Sequence, residues 1–453
     1  MNIQQVLSDF IVSLDFEDLS KESIISAKKI LIDTIAVALA GSSAAGVRPV
    51  FKVVKEWGGK PESTVLVHGL KVPVYQSAFV NSMMAHALDY DDIHTKVAVH
   101  ASCSVVPTVF SMSEYLTKLK GTDFVTAIVL GIEIASRLGL CILEQEKGWH
   151  LSAVCGSIAN AAVAAKLLKL DADKIIHAMG IAYSQAAGTL QALVDGTLTK
   201  RMQPGFAAKS GIVSAFLAKN GLTGPYHFLN GRYGFFNLYF SNNCDPEALT
   251  KNIGRDFEIN HIGAKPYPCC RLAHSAIDAI LDLKAAEDFA IDEVRRVTVH
   301  GSPAMLTMCG KPYKVTENSE IDAQFSLQYL IPRVILNRRI RIDDFSKDAV
   351  RNPVISANAK KITVKVSPEI KNRWGTIVEV EKLNGQHLTR RIDEPKGQPE
   401  NPMSWDEYLD KFHLCSQHAE KPLDQEKLNQ FIQRIEKLET LSDTSKIVTF
   451  LTP

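Results

Sequence analysis

A change of hydrophobic period near residue 265 is the feature that most constrains the fold. Over residues 2–251, apolar residues recur at three- and four-residue steps, beginning with Ile3, Val6 and Leu7, and this spacing predicts amphipathic helices. Beyond residue 265, short segments alternate apolar and polar residues, a pattern typical of strands. The two blocks together predict a mainly α protein: a large all-helical domain with an inserted smaller α+β domain.

The helical block predicts a bundle with a fully apolar member. The segment SAVCGSIANAAVAAKLL is rich in Ala and Gly, so neighbouring helices can approach its backbone closely, and it is expected in the middle of the bundle. Helices are predicted over 85–89, 105–119, 122–143 and 151–168.

The second block predicts a small sheet with its own helices. Asn384-Gly385 lies between two alternating segments and is a strong signal for a hairpin. From residue 404 the chain returns to amphipathic helix, which is expected to pack on the first domain. Strands are predicted over 294–300, 362–366, 375–383 and 386–392, and helices over 274–286 and 321–331.

Composition and charge exclude several classes of protein. The chain has 453 residues with 51 Lys and Arg against 50 Asp and Glu, which gives no reason to expect a nucleic-acid partner. Its first residues lack the basic region of a secretory signal, and Asp33 and Glu133 fall within or near its longest apolar stretches, so no membrane span is expected. The eight Cys contain no CxxC pair and are expected to be reduced thiols. A cytoplasmic location is predicted.

The first candidate site is a dense group of ionisable residues. It consists of His86, Asp89, Asp91, Asp92 and His94, followed by His100. Three interpretations are open: an acid/base active site, a solvated helix end, and a metal site, since His and Asp are suitable ligands. No HExxH or other regular ligand spacing is present.

His150 is the second candidate, because it immediately precedes the predicted small-residue helix. A His at a helix N-terminus feels the positive end of the dipole, which favours the neutral imidazole that a general base requires. The alternative is a buried His that is hydrogen-bonded to a carbonyl.

Two basic segments form the third candidate. Lys200-Arg201 and, later, Lys265 with Arg271 and His274 lie beside Gly or Pro residues. We expect turns there that hold the cations on fixed backbone rather than on a helix face. Cations held in this way suit a small carboxylate or phosphate, although solvated surface charge is the alternative.

The motifs of several enzyme classes are absent from the sequence. No GxGxxG follows a predicted strand, and neither GxxxxGK[ST] nor GxSxG occurs. Dinucleotide oxidoreductases, P-loop NTPases and α/β-hydrolases are therefore poor matches. A cofactor-free acid/base enzyme fits the remaining features.

At these clusters the sequence resembles the MmgE/PrpD family, which includes 2-methylcitrate dehydratases, cis-aconitate decarboxylases and an iminodisuccinate epimerase. The likeness runs from about residue 5 to residue 450. It is carried by AHALDYDDIH (85–94) with His100, GWHLSAVCGSIANAAVAAKLL (148–168), DGTLTKRMQPGFAAKSGIVSAFLAKNGLTGP (195–225) and KPYPCCRLAHSAIDAI (265–280).

The resemblance implies a helical domain of residues 1–267 and 401–453, a small α+β lid domain of residues 268–400, a homodimer, and a site in the cleft between the domains. Where many relatives have Thr and Pro, this chain has Ile93 and Ala101, which places the family's best-known substrates in doubt. By similarity to the decarboxylase branch, the catalytic residues are Asp89, His100, His150, Lys200 and Lys265.

The resemblance also implies a reaction without metal or cofactor. Lys200 and Lys265 would hold the carboxylates of a small di- or tricarboxylate, while the two catalytic His move protons. Further substrate contacts are expected from Arg201, Arg271, His94, Asp92 and His274. The leading hypothesis is a lyase, either a dehydratase or a decarboxylase. An epimerase of a related dicarboxylate and a non-catalytic binding protein are the alternatives, and no nucleic-acid or membrane partner is expected.

Overall fold

Helices dominate the structure, a computed structural model that describes residues 2–143, 147–315 and 319–453. The predicted mainly α fold is confirmed. The α-helices are α1 (Ile3–Ser13), α2 (Lys21–Gly41), α3 (Val47–Trp57), α4 (Val74–His86), α5 (Ser102–Leu116), α6 (Gly121–Leu140), α7 (Leu151–Leu167), α8 (Ala172–Tyr183), α9 (Gln191–Val194), α10 (Thr199–Lys219), α11 (Phe235–Phe240), α12 (His274–Ala286), α13 (Pro303–Cys309), α14 (Ser319–Gln324), α15 (Leu327–Asn337), α16 (Lys347–Val350), α17 (Pro353–Ala359), α18 (Trp405–Ser416) and α19 (Gln425–Glu436).

The strands form one four-stranded sheet and two short ribbons. In the larger sheet the order is β6-β5-β7-β8, with β5 and β6 parallel and the other two pairs antiparallel. The predicted hairpin at Asn384-Gly385 is confirmed, with Gly385 at a φ of 87°. The strands are β1 (Ser63–Thr64), β2 (Lys71–Val72), β3 (Ile93–His94), β4 (Ile262–Gly263), β5 (Val294–Gly301), β6 (Ile362–Val366), β7 (Thr376–Lys382) and β8 (His387–Ile392).

The chain divides into two compact units. The first unit is Met1–Ala264 with Ser404–Pro453, and the second is Lys265–Met403. The second unit contains the four-stranded sheet and a core of its own, in which α12 and α15 pack together. Both division points lie three residues from the boundaries that the resemblance implies.

The small-residue helix α7 lies in the middle of the first unit, as predicted. Every residue of α7 except Lys166 is buried. A Cβ added to Gly211 of α10 would lie 2.5 Å from Asn160 Cβ of α7, and one added to Gly156 would lie 3.3 Å from Ala207 Cβ. The two helices are therefore packed almost backbone to backbone, which only small side chains permit.

Three predictions of local structure are wrong. The helix expected over 321–331 is instead the end of α14 and the start of α15, because Ser326 is extended and caps α15. The helix expected over 85–89 ends instead at His86, and Asp89 has a φ of 52°, a conformation that a right-handed helix cannot contain. Lys200, expected on a turn, lies in the first turn of the 21-residue helix α10. The Gly that suggested a turn, Gly205, serves packing, because its Cβ would lie 2.5 Å from the carbonyl oxygen of Phe79.

Within the described part of the chain, no helix is both long enough and apolar enough to cross a bilayer.

A buried ion pair joins the C-terminal part of the first unit to its N-terminal helices. Lys411 Nζ of α18 lies 2.7 Å from Asp33 Oδ1 of α2, and both side chains are almost fully buried. The same ammonium donates to the carbonyl oxygen of Tyr90 at 2.9 Å and lies 3.9 Å from the centre of its ring. Lys411 therefore fixes the loop that follows α4.

We expect Lys411→Met to lower the free energy of unfolding by about 3–5 kcal/mol, because it leaves the Asp33 carboxylate buried without its cation. Asp33→Asn combined with Lys411→Met should recover part of this loss. Lys52→Met is the control, since its pair with Glu56 is exposed and is worth less than about 1 kcal/mol. Urea unfolding monitored by circular dichroism gives the comparison, and equal midpoints for the Lys411 and Lys52 variants would contradict the prediction.

Candidate active site

Four helix ends meet at one place in the first unit. His86 is the last residue of α4, His100 lies two residues before α5, His150 is the N-cap of α7, and Lys200 is the second residue of α10. The ring centre of His86 lies 5.0 Å from that of His100 and 5.4 Å from that of His150. The structure thus brings together three predicted catalytic residues from separate parts of the sequence.

Local backbone contacts hold these helix ends in place. The left-handed conformation of Asp89 turns the chain back after α4, and Asp is one of the residues that adopt it most readily. The backbone N–H of His100 donates to Ser152 Oγ at 2.9 Å, in the first turn of α7. The backbone N–H of His150 donates to the carbonyl oxygen of Gly188 at 3.0 Å.

Asp91 is the buried hub of the site. Its Oδ2 lies 2.7 Å from His86 Nδ1 and 3.2 Å from His100 Nδ1. Burial would raise the pKa of Asp91, but its interactions with the two imidazoles outweigh burial and lower it well below the usual value. Asp91 is therefore ionised and faces two histidines.

His86 connects Asp91 to Lys200. Its Nδ1–H donates to Asp91, and its Nε2 accepts a hydrogen bond from Lys200 Nζ at 3.1 Å. Burial, together with the charge on Lys200, lowers the pKa of His86 to about 4, although Asp91 raises it. A neutral His86 satisfies this geometry, since only an unprotonated Nε2 can accept from an ammonium.

Lys200 is the cation of the site. Its Nζ lies 2.9 Å from Asp89 Oδ1 as well as 3.1 Å from His86 Nε2. These two contacts use two of the three ammonium donors. Because Lys200 and His150 lie at the N-terminal ends of α10 and α7, the helix dipoles add to the positive potential there. The arrangement favours an anionic ligand.

His150 has one ring nitrogen engaged and one available. Its Nδ1 lies 2.6 Å from Gln203 Oε1, whereas its buried Nε2 has no hydrogen-bond partner among the described residues. Burial lowers the pKa of His150 well below its usual value, and the nearby Lys200 lowers it further. The predicted N-cap position is confirmed, and the neutral imidazole is set mainly by burial.

Three other predicted residues of the first unit have different surroundings. Both carboxyl oxygens of Asp92 are buried with no hydrogen-bond partner in the described residues, and burial raises its pKa to about 8. His94 Nε2 lies 3.0 Å from Glu258 Oε2, and Arg201 donates to the carbonyl oxygen of Ala45 at 3.0 Å. Their part in binding substrate stays a prediction.

Lys265, Arg271 and His274 belong to the second unit, where all three are buried. Arg271 Nη1 lies 3.0 Å from His274 Nδ1 and donates to the carbonyl oxygen of Lys396 at 2.8 Å. The structure thus brings Arg271 and His274 together. The roles of these three residues also stay predictions from the resemblance.

The sequence prediction missed Gln203, and it did not single out His86 and Asp91 as catalytic or substrate-binding residues. His86 and Asp91 stood within the ionisable cluster, but their spacing did not distinguish them from its other members. Gln203 lies three residues after Lys200, which places the two on one face of a helix. Recognising α10 as a helix would therefore have drawn attention to Gln203.

His86, Asp91 and Cys103 offer ligand atoms within 4.8 Å of one another, as a metal site requires. The donors fit a cation poorly. Burial raises the pKa of Cys103 well above its usual value, His86 and Asp91 are hydrogen-bonded to each other, and the Lys200 ammonium lies against His86. A metal would have to displace that hydrogen bond beside an existing positive charge. A metal-free site stays our prediction.

Asp91 and Asp92 are adjacent and equally buried, yet we expect opposite effects from converting each to Asn. The folded protein holds the Asp92 proton up to about pH 8, whereas the unfolded chain releases it near pH 4. Stability therefore falls as pH rises through this interval, and Asp92→Asn should remove that fall. Asp91 contributes stability above about pH 4 that is lost at lower pH, so Asp91→Asn should destabilise the neutral protein.

Urea unfolding at pH 5 and pH 8 measures both effects. The free energy of unfolding of Asp92→Asn, measured relative to that of wild type, should increase from pH 5 to pH 8. That of Asp91→Asn should lie below wild type at both. The assigned protonation states would be contradicted if Asp92→Asn gained no stability relative to wild type between pH 5 and pH 8, or if Asp91→Asn were as stable as wild type.

Comparisons with known proteins place the chain among enzymes. Relatives include a cis-aconitate decarboxylase from Aspergillus terreus, 27% identical over 97% of this chain and 94% of its own length, and one from Mus musculus, 27% identical over 99% and 93%. A 2-methylcitrate dehydratase from Salmonella typhi is 22% identical over 83% and 82%. The MmgE/PrpD N-terminal domain matches residues 5–247 and the MmgE/PrpD C-terminal domain matches residues 267–437. Because these matches cover most of its length, the chain belongs to the MmgE/PrpD family.

Proposed function

We propose that this protein is a cofactor-independent lyase that acts on a small tricarboxylate, with decarboxylation of a cis-aconitate-type substrate as the leading reaction. The observation that carries the proposal is the Lys200 ammonium, held beside neutral His86 and His150 in a buried cluster. Relatives named as cis-aconitate decarboxylases align over nearly the whole chain, which supports decarboxylation.

Substrate binding rests on fixed positive charge. Removing a proton from a polycarboxylate adds negative charge to a molecule that is already anionic, and losing CO₂ moves the charge of one carboxylate onto a carbon atom. A cation held in place before the reaction stabilises that charge without reorganisation, and such stabilisation is often the largest catalytic effect. Lys200, oriented by Asp89 and His86, supplies this cation.

We assign proton transfer to His100 and His150. In decarboxylation, the C–C bond to the departing carboxylate breaks, CO₂ leaves, and its electron pair becomes an allylic carbanion that must take up a proton. His100 is our candidate donor, because its Nδ1 lies 3.2 Å from Asp91 Oδ2, a contact that orients its ring. A proton donor of this kind contributes on the order of 10²–10⁴-fold in rate.

Dehydration of a 2-methylcitrate-type substrate is the second candidate, and the unpartnered Nε2 of His150 favours it. This nitrogen would accept the proton on the carbon next to a carboxylate, and His100 would protonate the departing hydroxyl. Both reactions use the same cation and differ in whether water or CO₂ leaves the substrate. Fold and family membership therefore do not decide between them.

We expect proton NMR in D₂O to reveal a lyase product from a panel of cis-aconitate, 2-methylcitrate, citrate and substituted succinates. New alkene signals with loss of a carboxyl carbon would identify a decarboxylase, and new alkene signals alone a dehydratase. Lys200→Met should lower kcat/KM by about 10²–10³-fold, as the loss of a preorganised charge-stabilising donor does. Lys219→Met, at the exposed far end of the same helix, is the matched control.

The other outcomes of this assay are also decisive. Deuterium exchange at one carbon without a change of constitution would replace the lyase with an epimerase. Full activity of Lys200→Met would remove Lys200 from the mechanism. Activity abolished by EDTA and restored by one metal would overturn cofactor independence.

We also propose a cytoplasmic homodimer, as the resemblance implies. Light scattering coupled to size-exclusion chromatography should give a mass of about 100 kDa, twice that of the 49.9 kDa chain. A mass of one chain across the micromolar range would contradict the dimer.

A further inference from the structure

A single amide group contacts both His150 and a backbone carbonyl. Gln203 Oε1 lies 2.6 Å from His150 Nδ1, and Gln203 Nε2 donates to the carbonyl oxygen of Thr189 at 2.9 Å. Gln203 is buried, as is His150. The amide therefore has little water available as an alternative partner.

The Thr189 contact determines which way the amide points. A backbone carbonyl can only accept, so the NH₂ of Gln203 must face it and the amide oxygen must face His150. An amide oxygen can also only accept, so the proton between the two side chains belongs to His150 Nδ1. The reverse orientation would place two acceptors against each other at Thr189.

Two backbone hydrogen bonds and a glycine make room for the contact between Gln203 and His150. The N–H of His150 donates to the carbonyl oxygen of Gly188 at 3.0 Å, and the N–H of Leu190 donates to that of Gly148 at 2.8 Å. A Cβ on Gly188, which has a φ of 133°, would lie 3.1 Å from Gln203 Oε1 and 2.7 Å from Ala153 Cβ. Glycine therefore lets this paired segment approach both Gln203 and α7.

The two tautomers of His150 differ in which buried polar group is left without a hydrogen-bond partner. With the proton on Nδ1, the Nε2 lone pair faces the site and can accept a proton. With the proton on Nε2, two acceptors would meet at 2.6 Å and a buried N–H would lack a partner among the described residues. An unmade hydrogen bond of this kind costs about 1–3 kcal/mol, which is enough to fix the tautomer.

We propose that Gln203 is a positioning residue that holds His150 in the Nδ1–H tautomer, so that Nε2 is the proton acceptor in the dehydration reaction, the second candidate function. The catalytic consequence rests on the proposed function, whereas the tautomer itself does not. Because Gln203 follows Lys200 by three residues, one face of α10 supplies both the cation and the amide that orients the base.

The tautomer can be measured without any substrate. In protein labelled with ¹⁵N-histidine, two-bond proton–nitrogen correlation distinguishes a protonated from an unprotonated ring nitrogen, and His150→Gln identifies the signals of His150. We expect a protonated Nδ1 and an unprotonated Nε2 in wild type. Gln203→Met, which keeps the chain length but removes the amide, should abolish this pattern. A wild-type proton on Nε2, or an unchanged pattern in Gln203→Met, would overturn the proposal.

Kinetics tests the consequence for the reaction. For dehydration, Gln203→Met should lower kcat on the order of 10²-fold, the contribution of one proton-transfer group, with little change in KM. Gln203→Glu restores an acceptor for Nδ1–H, and its charge opposes the lowering of the His150 pKa by burial and Lys200. Gln203→Glu should therefore recover part of kcat. In the pH profile of kcat, the acid limb should move to higher pH by about one unit or more. His86 and His100 also face His150 and remain unchanged in both variants.

Gln4→Met is the matched control, because Gln4 is a buried glutamine of the same unit whose amide donates to Asn230 Oδ1 at 2.7 Å. It should leave the His150 signals and kcat unchanged. A normal kcat in a Gln203→Met protein that has lost the tautomer would overturn the positioning role. Wild-type protein that is inactive on the whole substrate panel would count against the proposed function, and the NMR comparison would still decide the tautomer.

Discussion

The buried carboxylate of Asp91 is the interaction on which the rest of the site depends. It is ionised despite its full burial because two imidazole rings face it. Its hydrogen bond with His86 Nδ1 leaves His86 Nε2 to accept from Lys200, and Asp89 completes the surroundings of the ammonium. The buried negative charge of Asp91 thereby orients, through His86, the positive charge that the proposed reaction needs.

Helix α10 contributes both to the candidate site and to the core of the first unit. Its N-terminal turn must present Lys200 and Gln203 to the site, while its body must pack against α4 and α7. Gly205 and Gly211 permit that packing, since a side chain at either position would collide with a neighbouring helix. The same glycines weaken the helix on its own, so its stability depends on packing against its neighbours. Site and core are therefore built from one element.

The large features of the fold followed from the sequence because they depend on residue periodicity. The small-residue helix, the hairpin and the separate α+β block all have strong local signals. The details of the site did not, because they depend on where helices end. Periodicity does not reveal that Asp89 leaves the right-handed region, and the Pro204-Gly205 pair resembles a turn until the packing of α10 is known. For the same reason Gln203 went unrecognised.

The contact of Lys411 with Tyr90 has a consequence for the order in which the protein matures. The two residues are 321 positions apart, and Tyr90 lies between Asp89 and Asp91. While the chain is being synthesised, the loop of the site lacks this anchor until α18 has left the ribosome, even though the helices around it have long been available to fold. The nascent chain thus cannot anchor the loop of the candidate site through Lys411 until synthesis has nearly reached its end.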